Sequence, residues 1–237
     1  MSPRPADPEL PATLIEAAAR LLAEEGPGAL STRRVASEVG TSTMAVYTYF
    51  GGMDDLVRAM VHEGFTMLDD RMSAIAETED PASDVAALGL AYRYNAIEHR
   101  HLYSVMFGDS SLAGFRLNDE DRQHGRYTLE ALVKTVARCM AAGRFDTGDA
   151  ELVAHQLWIA VHGLVTLELG GYLIERYDAD TCFDAQVRGL LIGAGDEAQA
   201  ATRSVAASHA RPDIQALAAT LPTGPGQPVR AGATTPP

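Results

Sequence analysis

The chain is poor in lysine and in cysteine. Lys134 is the only lysine, and Cys139 and Cys182 are the only cysteines, in a sequence of 237 residues. Two cysteines provide no disulfide framework, and a reducing compartment keeps them as thiols. The first nine residues contain no apolar core of a secretion signal. These absences argue against a disulfide-built secreted protein, so we expect a cytoplasmic one.

Long apolar runs and positive charge are also scarce. No apolar run approaches the roughly 20 residues that cross a bilayer, so no membrane association is expected. The formal net charge is −13, and phosphate neutralisation supplies much of the affinity of DNA-binding proteins. A DNA contact therefore has to be local. Residues 31–50 offer one, because Arg33 and Arg34 stand there against a single acid, Glu38.

Two short helical patterns meet at Gly40 within residues 31–50. Apolar residues one helical turn apart give each pattern one buried side; they are Val35 and Val39, then Val46 and Phe50. Ser31 and Ser42 stand at N-cap positions, and a glycine at position 40 allows the first helix to stop. Two short helices joined by a tight turn predict a helix-turn-helix, whose second helix enters the major groove of DNA.

Side chains that this packing does not need are expected to face DNA. Hydroxyl groups and helix N-termini can hold phosphates without full charge. The predicted DNA-binding residues are Arg33, Thr41, Ser42, Thr43, Met44, Ala45, Tyr47, Thr48 and Tyr49. Of these, Met44, Ala45 and Thr48 are expected to touch bases. The alternative is a small helical corner whose tyrosines only cap a core.

Four ordered runs surround and include this motif: LIEAAARLLAEEG at 14–26, LSTRRVA at 30–36, VGTS at 39–42 and VYTYFGG at 46–52. Together they resemble the N-terminal domain of the TetR family of bacterial regulators over residues 10–70. Thr41 replaces a common valine, and Met53 stands where the family often has a phosphate-contacting lysine. The resemblance implies a DNA-binding transcriptional regulator.

Helical apolar spacing continues beyond the motif, without a β-rich run or a phosphate-binding glycine loop. The predicted fold class is all-α, with an N-terminal three-helix helix-turn-helix domain and a C-terminal helical bundle that dimerises. The predicted divisions are a DNA-binding domain at 10–52, a linking helix at 53–77, a ligand-binding and dimerisation domain at 78–200 and a largely disordered tail at 201–237. The tail is predicted from its alanine, proline, glycine and threonine content, and the sequence is compatible with a short helix within it, near residues 213–220.

Residues 157–169 are apolar around nearly the whole helix and include Trp158, His162 and Gly163. The stretch resembles the Trp-His-Gly variant of the TetR ligand domain. In that family the last two long helices of each subunit form a four-helix dimer interface. The resemblance therefore implies that residues 150–170 and 183–199 carry the interface.

Aromatic and sulfur-containing residues of the second half could line a small-molecule pocket between helices. The tentative pocket residues are Tyr92, Tyr103, Met106, Phe107, Tyr127, Trp158 and His162, with Tyr94 and Phe115 in the same group. Core packing is the alternative for each of them. Glu151, His155 and His162 share one helix face and could hold a metal, but ordinary surface and core residues at helical spacing are favoured, so neither a metal nor a cofactor is expected.

The function predicted from these observations is a ligand-released homodimeric repressor that binds a palindromic operator. Its expected partners are double-stranded DNA, a second copy of the chain and an unknown small-molecule effector. One alternative is a helical small-molecule sensor that acts through a protein partner. A helical enzyme is a weaker alternative, because no nucleophile–base pair supports it.

Overall fold

The computed structural model describes residues 8–107 and 119–222, which form eleven α-helices and no strand. In chain order the helices are α1 (Leu10–Glu25), α2 (Thr32–Val39), α3 (Thr43–Phe50), α4 (Met53–Ser73), α5 (Pro81–Glu98), α6 (Arg100–Phe107), α7 (Asp119–Ala141), α8 (Ala150–Leu169), α9 (Ala179–Gly193), α10 (Ala198–His209) and α11 (Pro212–Ala219). The all-α prediction is confirmed.

Helices α1 to α3 pack with the start of α4 into a small N-terminal unit. Leu14 and Leu21 of α1, Val35 of α2 and Val46 of α3 are fully buried at its centre. These residues recur at helical spacing, so each short helix can bury one side only. Helix α1 and helix α4 also pack against α6, which connects this unit to the larger helical body.

Helix α5 is the central element of that body. It packs against α4, α6, α7, α8, α10 and α11, and nearly its whole surface is buried. Two charged residues of α5 are buried with it, and each is paired, as buried charges must be. Asp84 accepts hydrogen bonds from Arg138 at 2.8 Å and Arg211 at 2.5 Å. Arg93 donates two bonds of 2.7 Å to Glu168.

The prediction of a largely disordered tail from residue 201 is wrong where α10 lies, whereas the short helix considered near residues 213–220 is present as α11. Helices α10 and α11 occupy this segment, and Ala201, Val205 and Ile214 are buried against α5 and its neighbours. Composition misled the prediction because alanine and serine are small enough to pack closely while contributing little hydrophobic signal. Residues 223–237 lie outside the described part of the chain.

The helix predicted at 183–199 is also two helices in the structure. Helix α9 begins earlier, because the Asp178 side chain accepts a hydrogen bond of 2.8 Å from the Thr181 N–H. It ends before Gly195, whose φ of 111° no other residue type adopts easily. Helix α10 then begins after Glu197, whose carboxylate caps the N–H groups of Gln199 and Ala200.

Helix α8 corrects the expectation about apolar runs. By length and composition, its 20 residues could cross a membrane. The fold offers another reason for this composition. One side of α8, with Leu157, Val161 and Leu164, is buried against the body, whereas Leu152 and Ile159 on the other side are 56% and 61% exposed.

Candidate functional site

The helix-turn-helix is formed by α2 and α3, and local hydrogen bonds define both helix starts. The Ser31 hydroxyl accepts from the Arg34 N–H at 3.3 Å, and the Ser42 hydroxyl accepts from the Ala45 N–H at 3.4 Å. Gly40 ends α2 in the left-handed conformation with φ of 71°. The next N–H, of Thr41, donates to the Ala36 carbonyl at 2.8 Å. This pattern is the Schellman motif that closes many helices.

Most of the predicted DNA-binding residues are exposed on this motif. Met44 is 69% exposed and Tyr47 is 52% exposed, whereas Val46 between them is fully buried. Arg33, Ser42, Thr43 and Thr48 are exposed, and Thr41 and Ala45 are half-buried. Tyr49 departs from the expectation of an outward side chain, because it is half-buried and packs against the core and Phe50.

Only one of the two arginines of the motif is available as a positive charge. Arg34 pairs with Glu25 at 3.0 Å and lies 3.7 Å from Glu38. Glu38 in turn accepts a bond of 2.7 Å from Arg20 of α1, and this bond lowers the pKa of Glu38. Arg33 is exposed and has no ion pair within the residues that the structure describes. The motif therefore offers one arginine, hydroxyls and the N-terminus of α3 to DNA.

A second candidate site is a cavity of about 260 Å3 in the helical body. Helices α4 to α9 all contribute to its wall, and the side chains are mostly aliphatic and aromatic. Among the predicted pocket residues, Tyr92, Met106, Phe107 and Trp158 line it. A cavity of this kind, apolar with few polar groups, is typical of small-molecule sites in helical bundles.

Three polar side chains meet at one wall of the cavity. The hydroxyls of Tyr92 and Tyr103 lie 2.9 and 2.8 Å from Nδ1 of His162, and 3.2 Å from each other. We call these three residues the Tyr–Tyr–His cluster. Burial raises the pKa of Tyr103 to about 12, raises that of Tyr92 further and lowers that of His162. All three side chains are therefore uncharged at neutral pH.

The structure brings most of the predicted pocket residues together but not Tyr127. Tyr103 and His162 reach the cavity through Tyr92, to which both are hydrogen-bonded. Tyr127 is 56% exposed and points away. Gly125 and Thr128 on the same helix line the cavity, and a residue two positions from Gly125 lies on the opposite side of a helix. Phe115 lies outside the described residues.

Sequence reasoning missed the contribution of α4 to the cavity. Phe65 and Met72 of this helix line it, and the Phe65 ring packs edge-on against Phe107 with centroids 5.7 Å apart. Both residues are apolar positions at helical spacing along α4, and such spacing gives no signal that separates a cavity wall from a filled core.

The histidines of α8 do not assemble a metal site. Within the two described segments, no group of three or more histidine, cysteine, aspartate or glutamate side chains could hold a metal ion. His155 donates through Nδ1 to the Glu151 carbonyl at 2.8 Å. His162 belongs to the Tyr–Tyr–His cluster, so the two rings have different partners.

Comparisons with known protein families agree with this geometry. Residues 14–60 match the family described as bacterial regulatory proteins, tetR family. Residues 85–190 match the family described as tetracyclin repressor-like, C-terminal domain. The first match covers the helix-turn-helix, and the second covers most of the helices that surround the cavity.

Individual relatives are similar over most of the chain. An uncharacterized HTH-type transcriptional regulator of Mycobacterium tuberculosis is 26% identical over 182 residues, which are 76% of this chain and 79% of the relative. The solved structure of a protein with unknown function from Rhodococcus is 28% identical, with a TM-score of 0.68, and the match covers 83% of this chain and all of that one. The transcriptional regulator FadR of Bacillus subtilis, solved in complex with stearoyl-CoA, shares the fold at 19% identity, with a TM-score of 0.64 and coverage of 77% and 98%.

Proposed function

Since this chain belongs to the TetR family and is a DNA-binding transcriptional regulator, we propose that it is a cytoplasmic homodimeric repressor that a small molecule releases from a palindromic operator. The observation that carries the proposal is the placement of α4. One end of this helix packs against α1 and α3, and its other half lines the cavity. A ligand in the cavity therefore contacts the same helix that supports the DNA-binding unit.

The exposed side of the helix-turn-helix supports the operator contact. Arg33, Thr43 and Tyr47 are exposed there, and we expect them to hold phosphates. We expect Met44 and Thr48, also exposed, to reach base edges once α3 lies in the major groove. Thr48 already donates its hydroxyl proton to the Met44 carbonyl at 2.8 Å. Its oxygen can still accept a hydrogen bond from a base.

The apolar surface of α8 and α9 supports the dimer. Leu152, Ile159 and Leu167 of α8 and Ile192 of α9 are 40–61% exposed in the single chain. The two helices pack side by side, so these side chains form one surface. Contiguous apolar surface of this kind marks association sites. A second copy would bury it and place two α3 helices on one duplex.

The cavity supports the proposal that a small molecule controls DNA binding. A ligand can shift the protein between two states only if it binds them with different affinity. Phe65, Met72 and Phe107 connect the cavity wall with α4 and α6, so a shift of α4 would change the cavity. We also propose that the DNA-binding domain ends at residue 52 and that the linking helix ends at residue 77. In addition, we propose that the ligand domain is of the Trp-His-Gly type, because Trp158 lines the cavity and His162 is hydrogen-bonded to Tyr92 in its wall.

Selection of bound fragments from genomic DNA by the full-length protein tests the proposal, followed by footprinting on the enriched fragment. We expect two protected half-sites related by a two-fold axis, about one helical turn or a small multiple apart. Protection of a single half-site by a monomer would contradict the dimer. Absence of any enriched sequence at low ionic strength would contradict the regulator itself and favour a sensor that acts through a protein partner.

A further inference from the structure

Within the described residues, the cavity lining has one basic side chain, His155, whose Nδ1 is bonded to the Glu151 carbonyl. The lining within the described residues includes no lysine, arginine, aspartate or glutamate. The charged residues buried nearby are already used, since Arg93 is bonded to Glu168 and Asp180, and Asp84 to Arg138 and Arg211. An unpaired charge is costly to bury, and an unprotonated imidazole supplies no counter-charge. A ligand carboxylate or phosphate in this cavity is therefore disfavoured unless His155 takes up a proton with it.

The lining carries several hydrogen-bonding side chains, namely Tyr92, Thr128, His155 and Trp158. The Thr128 hydroxyl and His155 Nδ1 are bonded to backbone carbonyls, whereas the hydroxyl of Tyr92 belongs to the Tyr–Tyr–His cluster. The Tyr–Tyr–His cluster can present either a lone pair or a proton there. If Nδ1 of His162 carries no proton, Tyr103 donates to it and Tyr92 donates to Tyr103, which leaves the Tyr92 oxygen as an acceptor. If Nδ1 carries the proton, the direction of the bonds can reverse, and Tyr92 becomes a donor. The cluster can thus serve a hydroxyl or a carbonyl without any change in charge.

The size of the cavity limits the ligand further. A volume of about 260 Å3 exceeds the roughly 150 Å3 that accommodates a benzene ring. The ring faces and edges of Phe107 and Trp158 in its wall favour flat, polarisable groups. A molecule of about two rings therefore fits both the volume and the wall.

We propose that the cavity binds an uncharged, predominantly apolar molecule of about two rings, held at one hydroxyl or carbonyl group by Tyr92. The inference rests on the proposed function only in treating this molecule as the effector. It sets the chain apart from a regulator that takes an anionic ligand, such as the stearoyl-CoA in the FadR structure.

Calorimetric titration of the full-length protein with 2-naphthol and 2-naphthoate at neutral pH tests the charge preference. The two probes share their rings and differ in a neutral hydroxyl against a carboxylate. We expect 2-naphthol to bind at least about tenfold more tightly, because the anion loses its solvation without gaining a counter-charge. Equal or tighter binding of 2-naphthoate, or no binding of either probe, would overturn the proposal.

Substitution of Tyr92 tests the anchoring point. Tyr92→Phe removes only the hydroxyl, and we expect it to weaken 2-naphthol by about two- to tenfold. The affinity for 2-methylnaphthalene, which forms no hydrogen bond, should not change. Tyr127→Phe on exposed α7 surface is the matched control and should change neither affinity. An equal loss of affinity for 2-naphthol and 2-methylnaphthalene would indicate a general packing defect and contradict a hydrogen bond from Tyr92 to the ligand.

Failure of this inference can be distinguished from failure of the proposed function. Operator binding by the ligand-free protein depends on the helix-turn-helix and the dimer, not on the probes. A protein that binds its operator but prefers 2-naphthoate would retain the proposed function and lose this inference. A protein that prefers 2-naphthol but binds no DNA sequence would retain this inference and lose the proposed function.

Discussion

Tyr47 shows at the residue scale how surface and core separate within one turn of helix. It is 52% exposed, and the neighbouring Val46 is fully buried. We predict that Tyr47→Ala lowers operator affinity by about tenfold, the size of one or two lost hydrogen bonds to DNA. The free energy of unfolding should change by less than about 0.5 kcal/mol, because an exposed side chain contributes little.

The measurement is a DNA-binding titration at fixed salt together with urea unfolding of each variant. Tyr127→Ala is the matched control, since Tyr127 is comparably exposed but lies in the body. If both variants bound the operator like the unchanged protein, Tyr47 would have no part in the DNA contact. If Tyr47→Ala unfolded readily, the residue would belong to the core.

Single residues were predictable from the sequence where the chain acts locally. Ser31, Gly40 and Ser42 cap helices through bonds to residues at most five positions away, so spacing alone reveals them. The Tyr–Tyr–His cluster joins residues that are 70 and 59 positions apart. Its members could be singled out as polar aromatic residues, but their meeting point depends on how α5, α6 and α8 pack.

At the scale of helices, glycines set how closely α4 approaches its neighbours. A Cβ added at Gly125 of α7 would lie 2.9 Å from two carbons of the Phe65 ring, and one added at Gly64 would lie 2.4 Å from Sδ of Met106. The ring is rigid, whereas a methionine side chain adapts. We predict that Gly125→Ala destabilises the fold by about 1–3 kcal/mol and Gly64→Ala by less.

Urea unfolding of the two variants side by side checks this order. Each gains the same helix propensity from alanine, about 0.5–1 kcal/mol, so their difference reports the packing alone. A larger decrease in the free energy of unfolding for Gly64→Ala than for Gly125→Ala would show that Met106 cannot move aside. In that case the α4–α6 contact, rather than the α4–α7 contact, would be the tighter of the two.

Asp84 joins the start of α5 to three other segments. Burial raises the pKa of this carboxyl, but hydrogen bonds from Thr78, Arg138 and Arg211 outweigh that effect, so its pKa lies below the ordinary 3.8. The carboxylate therefore stabilises the fold fully above pH 3.8, and the contribution is lost as the pH falls through the lower pKa of the folded state.

Asp84→Asn should accordingly lower the free energy of unfolding by about 3 kcal/mol at neutral pH, because two arginines lose their buried partner. The difference in the free energy of unfolding between the variant and the unchanged protein should become smaller below about pH 4. Urea unfolding across this pH range measures it, with the exposed Asp69→Asn as control. A difference that stayed constant down to pH 2 would show that the charge of Asp84 contributes nothing.

At the scale of the whole molecule, the sequence predicted which helices exist better than where the body ends. Apolar residues at helical spacing indicate α4, α5, α7 and α8, because each of these long helices buries many apolar side chains. Helices α10 and α11 bury only a few side chains against α5 and its neighbours: one alanine, two serines, one valine and one isoleucine, Ile214. Arg211 also holds this segment, through bonds to Asp84 and the Ala76 carbonyl. Such long-range contacts leave no periodic pattern in the chain.

In the proposed dimer, the outer surface of α8 and α9 joins the two copies that bind DNA together. Ile159 lies at its middle, with Leu152 and Leu167 about two turns to either side. A charge there would be buried without a partner in a dimer but solvated in a monomer. We predict that Ile159→Arg yields a folded monomer in sedimentation and that its operator affinity falls by at least about a hundredfold, because two half-sites are no longer bound together.

Met44→Arg is the matched control for the oligomeric state, since Met44 is similarly exposed but lies on the DNA-binding unit. This variant should remain a dimer. The proposed dimer buries the surface around Ile159, so an Ile159→Arg variant that sediments as a dimer would show that the copies meet elsewhere. The apolar outer side of α8 would then require another explanation, and its membrane-like composition would deserve a direct test with lipid vesicles.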